Sequence, residues 1–172
     1  MEYSELIIGR ESVRNYDPAR QIPQTILEKI LDAGRLAPSA CNYQPWKFLV
    51  VNSDAMLEKV KSCYQRDWFN EAPYILIIVG QKDISWKRKY DGYNSIETDI
   101  AIALTHIILA AENEGIGTCW VEAYNPAILR NVLNLSENQI VFGITPLGYP
   151  KPGFQKSLVK NRKPLEEIVE YL

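Results

Sequence analysis

The ten residues APSACNYQPW (37–46) lie between a stretch typical of a helix and a stretch typical of a strand. An ordinary connection of this kind needs only one or two turn residues. This one contains Pro38 and Pro45 together with the hydrogen-bonding side chains of Ser39, Asn42 and Gln44. Two interpretations are open: a turn whose side chains bond to its own backbone, or a stiffened loop whose donors and acceptors serve a flat heterocycle.

The segments around this loop predict an α+β fold. Apolar residues recur at helical spacing over residues 23–36, and 47–51 and 74–80 are apolar strand candidates. Residues 99–115 are apolar almost all the way round, which is typical of a helix buried in the core or between subunits. The remaining candidates are strands at 118–121 and 140–149 and a short helix at 126–133. Because helices and strands do not alternate regularly, we expect a mixed sheet with helices on both sides, in one domain over residues 1–172.

Composition limits the classes of function. The chain has 172 residues, 47% of them hydrophobic and 23% charged, with a formal net charge of -2. A chain of this size buries a core without metal or disulfide support. The charge balance provides no basic surface for nucleic acid, and no apolar run is long enough for a signal sequence or a membrane span. We therefore expect a cytoplasmic protein that binds neither nucleic acid nor membrane.

Histidine and cysteine are too few and too dispersed for a metal site. His106, the one histidine, lies inside the apolar helix, and Cys41, Cys63 and Cys119 are far apart in the sequence. We expect reduced thiols and no zinc. A nucleophilic Cys41 paired with His106 is an alternative, but it requires the histidine of a buried helix.

The usual glycine-rich phosphate loops are also missing. The sequence contains no G-x-x-x-x-G-K-[ST] loop. A G-x-G occurs in GIGTCW (115–120), but it follows a helix and precedes a strand, which is the reverse of the dinucleotide-binding order.

Two short clusters of anion-binding side chains remain. Arg10, Ser12 and Arg14 alternate near the start, and Lys160 and Arg162 alternate near the end. Alternation puts side chains on one side of an extended segment. Four cations and a hydroxyl suit a phosphate dianion, since each charge-assisted hydrogen bond contributes about 1.5 to 3 kcal/mol. Each cluster alone is also typical of a solvated surface.

Taken together, these motifs resemble the nitroreductase family of FMN-dependent oxidoreductases. The family pattern opens with R-x-S-x-R and continues with A-P-S-A-x-N-x-Q-P-W before a strand. An apolar helix ending in L-A-A-x-x-x-G-I-G-T follows, and K-x-R stands near the C-terminus. All four elements occur here in order over residues 9–165. The second motif is specific, and the coincidence of all four carries the resemblance.

The resemblance implies an α+β homodimer with a mixed, mainly antiparallel sheet, an exchanged C-terminal tail and two FMN sites at the subunit interface. The implied phosphate ligands come from one subunit and are Arg10, Ser12, Arg14, Lys160 and Arg162. The partner subunit would contribute Pro38, Ser39, Asn42 and Gln44 to the isoalloxazine ring and the ribityl chain. Trp120, Val121 and Glu122 would lie along the ring, with a backbone N–H near Glu122 close to the flavin N5.

The implied chemistry is carried by the flavin, without a catalytic acid or base from the protein. NAD(P)H would reduce FMN by hydride transfer, and an electron-poor acceptor such as a nitroaromatic or a quinone would take the electrons in a second step. Two alternatives stay open. One is a specialised member of the family, such as a reductive dehalogenase or a flavin-fragmenting synthase. The other is a protein that stores or senses FMN without turnover.

The sequence departs from the family pattern in two places. Trp120 and Ala123 stand where the well-studied members have proline and glycine. The chain is also short, which indicates a trimmed insertion between about residues 60 and 95. The aromatic residues of that segment either cover the open face of the flavin or pack in the core, and they are Tyr64, Trp68, Phe69, Tyr90 and Tyr93.

Overall fold

The computed structural model describes residues 1–157 and 159–172. The helices in this part of the chain are α1 (Tyr3–Gly9), α2 (Gln24–Arg35), α3 (Asp54–Lys61), α4 (Asp67–Asn70), α5 (Ile96–Asn113) and α6 (Pro126–Leu133). The strands are β1 (Trp46–Val51), β2 (Tyr74–Gln81), β3 (Gly117–Thr118) and β4 (Gln139–Gly148). Short 3₁₀ turns cover Ala40–Asn42 and Leu165–Glu167. None of the described helices is long and apolar enough to cross a membrane.

The four strands form one sheet in the order β1-β2-β4-β3. Every strand pair is antiparallel, which agrees with the mainly antiparallel sheet that the resemblance implied. The parallel contact that does occur is an isolated bridge between Ser12 and Thr118. The register between β2 and β4 shifts between Ile77 and Val79, which places an extra residue of β4 in a bulge beside Gly143.

Helices cover both faces of the sheet. Helices α2 and α5 bury Ile30, Leu104 and Ile107 against one face, and α3, α4 and α6 bury residues such as Val60, Phe69 and Leu129 on the other. All of β2 except its last residue is buried. A continuously apolar strand is typical of a sheet covered on both sides, and this explains why the run at 74–80 was recognisable.

Helix α5 connects the core to the candidate site. It covers Ile96–Asn113, so it begins three residues before the predicted range 99–115 and ends before Gly115. Gly115 has φ +73°, the left-handed conformation that glycine adopts at least cost. Ile116 N–H donates to Ala111 O and Gly115 N–H to Glu112 O, which closes the helix end.

The other predicted elements agree with the structure to within a few residues. The exception is the strand at 118–121, which is reduced to β3 and an isolated bridge between Val121 and Ile144. Pro23, with which the predicted helix at 23–36 begins, precedes the first residue of α2. Helices α1, α3 and α4 were not predicted, and they are short elements of seven, eight and four residues.

Candidate cofactor site

The segment after α1 runs beside β3 and orients the first anion-binding cluster. Val13 N–H donates to Thr118 O at 2.8 Å, and the Val13 side chain is buried. Alternate residues of an extended segment face opposite sides. Ser12 and Arg14, which flank Val13, are exposed.

Arg10 and Ser12 line a cleft of about 180 Å³ between this segment and α5. The other lining residues are Thr105, Ile108 and Leu109 of α5 with Thr118, Cys119 and Trp120. One part of the cleft therefore carries a cation and a hydroxyl, and the other part carries aliphatic and indole groups. An amphipathic cleft of this kind suits an aromatic molecule that bears an anionic group.

Arg14 extends the cationic part towards an aromatic cluster. Its guanidinium carbon lies 5.7 Å from the centre of the Trp68 ring, a distance typical of a cation–π contact. Burial raises the pKa of the neighbouring Cys119 thiol, although Arg14 and Ser12 act in the opposite direction. The thiol therefore stays protonated near neutral pH and leaves the charge of the arginines available to an external anion.

The loop at residues 38–44 has an unusual backbone. Cys41, Asn42 and Gln44 have φ angles of 51°, 56° and 49°, which are sparsely populated for residues other than glycine. Gln44 N–H donates to Ser39 Oγ, and Gln44 Nε2 donates to Asn42 O and Oδ1. Pro38, Asn42 and Gln44 are exposed, so the loop holds a fixed polar surface towards solvent.

The loop and the cleft lie at different levels of α5. The loop contacts the first turn of the helix at Asp99, whereas the cleft borders Thr105 and Leu109. With a rise of 1.5 Å per residue, Asp99 is about 15 Å from Leu109 along the axis. The structure therefore does not bring Ser39, Asn42 or Gln44 to the cleft within one chain.

Trp120 packs against Gly143 of β4 and lines the cleft. A Cβ built on Gly143 would lie 2.3 Å from Trp120 Nε1, so only glycine leaves room for the indole. The Trp120 ring also meets Phe142 edge-on, with centroids 6.1 Å apart. Nε1 is buried and has no hydrogen-bond partner among the described residues.

The residues after Trp120 present backbone groups. Val121 is paired with Ile144 through two backbone hydrogen bonds of 2.9 and 3.0 Å. The next backbone N–H, that of Glu122, has no acceptor within residues 1–157 and 159–172. A donor in this position is free for a ligand.

Two carboxylates hold the C-terminal segment against the rest of the chain. Lys160 Nζ donates to Glu11 Oε2 at 2.9 Å, and the Ser157 N–H donates to the same carboxylate. Lys156 pairs with the buried Glu112 of α5. Lys160 therefore lies next to Glu11 but does not line the cleft. Arg162 does not line the cleft either, and its guanidinium donates to Asn161 O.

Acidification is expected to release Ser157 and Lys160 from Glu11. Burial acts to raise the pKa of Glu11, but the hydrogen bonds from Lys160 and Ser157 outweigh it, and the pKa lies below its ordinary value. Such a group stabilises the contact above its unfolded pKa of about 4.3, and this stabilisation is lost as the pH falls through the folded pKa. We expect hydrogen exchange at the Ser157 amide, corrected for intrinsic rates, to be less protected at pH 3.5 than at pH 7.

Glu11→Gln is the control for this prediction, because the amide has no charge to lose. Its Ser157 protection is expected to be weak and equal at both pH values while far-UV circular dichroism shows a folded chain. Equal protection at both pH values in the unsubstituted protein would contradict the assignment.

The aromatic residues of the 60–95 segment divide into two groups. Tyr64, Trp68 and Phe69 pack edge-to-face in the core, with centroids 5.2 to 5.9 Å apart. Tyr90 is 97% exposed and Tyr93 is 41% exposed. Packing therefore accounts for the first group. In the second group Tyr93 is held by Thr98 and Arg88, whereas Tyr90 projects into solvent.

Three residues with evident roles were not among the predicted site residues: Glu11, Asp99 and Gly143. Glu11 lies in RESVR, but its carboxylate is not an anion-binding group and so gave no signal there. The other two act through contacts with residues distant in the sequence, for which a single sequence provides no signal. Within the described residues no hydrogen bond joins Cys41 to His106, which gives the nucleophile alternative no support.

The residues present fit FMN as a ligand. Arg10 and Ser12 give the cleft a cation and a hydroxyl suited to a single terminal phosphate, and Arg14 lies close to Cys119, another residue of its lining. Trp120 offers an apolar surface to a ring, and the Glu122 N–H is an unused donor among the described residues. The cleft is smaller than the roughly 300 to 1,000 Å³ of typical ligand pockets. A flavin bound here must therefore extend beyond the surface of one chain.

Comparison with known proteins identifies the family of the chain. The model of the nitroreductase family matches residues 7–66 and 55–149. A provisionally named NADH dehydrogenase/NAD(P)H nitroreductase of Archaeoglobus fulgidus is 37% identical over 155 residues, which cover 87% of this chain and 86% of that protein. The crystal structure of a nitroreductase family protein from Clostridium difficile 630 superposes with a TM-score of 0.88, at 31% identity and coverage of 99% and 98%.

A relative with a different named activity is also similar. The iodotyrosine dehalogenase 1 homolog of Caenorhabditis elegans is 28% identical over 194 residues. The match covers 94% of this chain but only 58% of that protein. The likeness therefore does not extend to the whole of the dehalogenase.

Proposed function

Because the chain belongs to the nitroreductase family, we propose that it is an FMN-dependent oxidoreductase that uses NAD(P)H to reduce electron-poor acceptors such as nitroaromatics or quinones. The observation that carries the proposal is the cleft that joins Arg10 and Ser12 to the indole of Trp120. We place this activity in the cytoplasm, in keeping with three cysteines that are all free.

The active form in this proposal is a homodimer with shared sites. Helix α5 leaves a stripe at Ile102, Thr105, His106 and Leu109 that is not fully buried within one chain. If two copies of α5 pack antiparallel about a twofold axis near the middle of the helix, Asp99 of one copy lies at the same height along the helix pair as Leu109 of the other. That arrangement carries loop 38–44 of one subunit across the roughly 15 Å to the cleft of its partner.

The C-terminal tail gives a second reason for a dimer. Leu165, Ile168 and Tyr171 are exposed at 65%, 63% and 93%, and β1 is an edge strand with an unpaired side. Beside β1, Trp46 and Phe48 line an exposed groove of about 390 Å³. An exchanged tail seated there would cover both the apolar residues and the open edge.

In this proposal each site residue has a stated role. Arg10, Ser12 and Arg14 would neutralise and orient the phosphate. Lys160, which pairs with Glu11 in one chain, and Arg162 would add to this charge from the tail after leaving those contacts. The Glu122 N–H would be the donor available to the flavin N5, and Trp120 would support the ring. When bound, FMN supplies the redox chemistry by accepting a hydride and passing electrons on. The proposed contribution of the protein is binding, orientation and a fixed donor, with no acid or base side chain.

Purified protein is expected to be yellow and to release FMN, not FAD, on denaturation, because the cationic end suits one terminal phosphate. Anaerobic NADH or NADPH should bleach the flavin absorbance, and menadione or a nitrofuran should restore it with continued NAD(P)H consumption. A colourless protein that cannot be reconstituted with FMN would overturn the proposal. Bound FMN that is not turned over would favour storage or sensing.

Reductive dehalogenation is tested in the same assay. Iodotyrosine is supplied as the acceptor, and iodide release is measured against menadione reduction. We expect menadione to be the better acceptor, since loop 38–44 and the exposed Tyr90 and Tyr93 provide no enclosed chamber in the described chain. Faster reduction of iodotyrosine would reverse the choice of substrate class.

A further inference from the structure

A buried carboxylate on α5 is bonded to the loop at 38–44. Asp99 is 2% exposed and lies in the first turn of α5, where the helix dipole favours a negative charge. Its Oδ1 accepts the Ala40 N–H at 2.9 Å, and its Oδ2 accepts the Ser95 hydroxyl at 2.8 Å. Both oxygens are therefore occupied, and the described residues provide no cation to the carboxylate.

The bond to Ala40 is the one that ties this loop to another element. The other hydrogen bonds of residues 38–44 in the described chain join residues of the loop to one another or join Gln44 O to the N–H of Trp46, two residues further on. Three residues of the same loop hold positive φ angles, and such conformations persist only where the surroundings impose them. Among the described residues, the Asp99 contact is the one hydrogen bond that residues 38–44 receive from outside the loop and its immediate neighbours.

We propose that Asp99 is a positioning residue that holds loop 38–44 in the conformation in which Ser39, Asn42 and Gln44 meet the flavin bound by the partner subunit. This inference rests on the proposed function. The same helix forms one wall of the cleft through Thr105, Ile108 and Leu109. Because one rigid helix carries both the contact to the loop and the wall of the cleft, it fixes the loop relative to the dimer axis.

Asp99→Ala removes the acceptor of the Ala40 N–H and is expected to raise the Kd for FMN by about tenfold, as the loss of a charged hydrogen bond would. Turnover at saturating FMN should also fall, and amide exchange over residues 39–44 should rise by about tenfold. Asp99→Asn keeps an acceptor oxygen of the same shape and should recover most of each loss. Glu97→Gln, at an exposed acid in the same helical turn, is the matched control and should behave as the unsubstituted protein.

A double substitution separates positioning from general destabilisation. If Asp99 acts through the loop, adding Asn42→Ala to Asp99→Ala should weaken FMN binding by much less than Asn42→Ala does alone. Additive losses would overturn the proposal. If Asp99→Ala does not fold, Ala40→Pro removes the same hydrogen bond from the loop side, because proline has no N–H. It should reproduce the loss of FMN affinity, and unchanged affinity would overturn the inference.

The inference and the proposed function fail in distinguishable ways. If the unsubstituted protein does not bind FMN, the proposed function fails, while the exchange rates of residues 39–44 in Asp99→Ala still decide whether the contact orders the loop. If the unsubstituted protein binds FMN and Asp99→Ala matches Glu97→Gln in affinity and turnover, the positioning role is wrong and the proposed function stands.

Discussion

Replacing Arg10 with alanine is expected to raise the Kd for FMN by about tenfold to a hundredfold. The substitution removes the guanidinium that lines the cleft, and a hydrogen bond to a charged group contributes about 1.5 to 3 kcal/mol. Titration of the apoprotein with FMN, followed by flavin fluorescence, measures the change. Turnover at saturating FMN should largely persist, because the phosphate is remote from the reactive ring.

The matched control is Arg20→Ala. Arg20 is an exposed arginine that stacks on Tyr149 and borders neither the cleft nor the groove beside β1. Its loss should leave the Kd for FMN unchanged while removing the same charge from the protein. If both substitutions have the same effect, net charge and not the cleft governs binding, and the assignment of Arg10 is wrong.

Gly143→Ala is expected to lower the free energy of unfolding by about 1 to 3 kcal/mol, the usual cost of overpacking a closely packed site. The new Cβ would lie 2.3 Å from Trp120 Nε1, so the indole or the bulged strand must move. Urea denaturation measures the loss of stability. Because Trp120 lines the cleft, we also expect weaker FMN binding and an altered visible spectrum of the bound flavin.

The same substitution at Gly9 is the control. A Cβ there meets nothing closer than Glu112 Oε1 at 3.8 Å, an ordinary contact, and Gly9 is the last residue of α1. Gly9→Ala should therefore be neutral or slightly stabilising. A Gly143→Ala protein as stable as Gly9→Ala would show that the indole does not need the space at Gly143.

Elements with a strong apolar period were predictable from the sequence. The run at 74–80 and the helix around 99–115 each bury a continuous apolar surface, and both appear with bounds shifted by a few residues. Helices α1 and α3 were missed because short, mostly exposed helices bury little, and their sequences provide a weak periodic signal. The antiparallel direction of strand pairing came from the family resemblance and not from the apolar pattern, since it depends on which edges meet after folding.

The candidate site was predictable in its chemistry and not in its geometry. Alternation in RESVR indicated that Arg10 and Ser12 share a side, and the structure places both on one cleft. The contact of Trp68 with Arg14 and that of Asp99 with Ala40 join residues 54 and 59 positions apart. Such pairs follow from tertiary packing and leave no local pattern to recognise.

The most direct test of a shared FMN site uses mixed dimers. Chains with Arg10→Ala are paired with chains that carry Asn42→Ala and Gln44→Ala, and the heterodimer is isolated through two different affinity tags. If the phosphate residues and the loop of one site come from different subunits, one site of the heterodimer carries all the substitutions and the other carries none.

Binding is measured at an FMN concentration that fills the unsubstituted protein and leaves both variant homodimers largely empty. We expect the heterodimer to bind one FMN per dimer with unsubstituted affinity and to show about half of the unsubstituted activity per dimer. If each site is built within one chain, every site of the heterodimer carries a substitution and high-affinity FMN binding is not restored. That result would contradict the account.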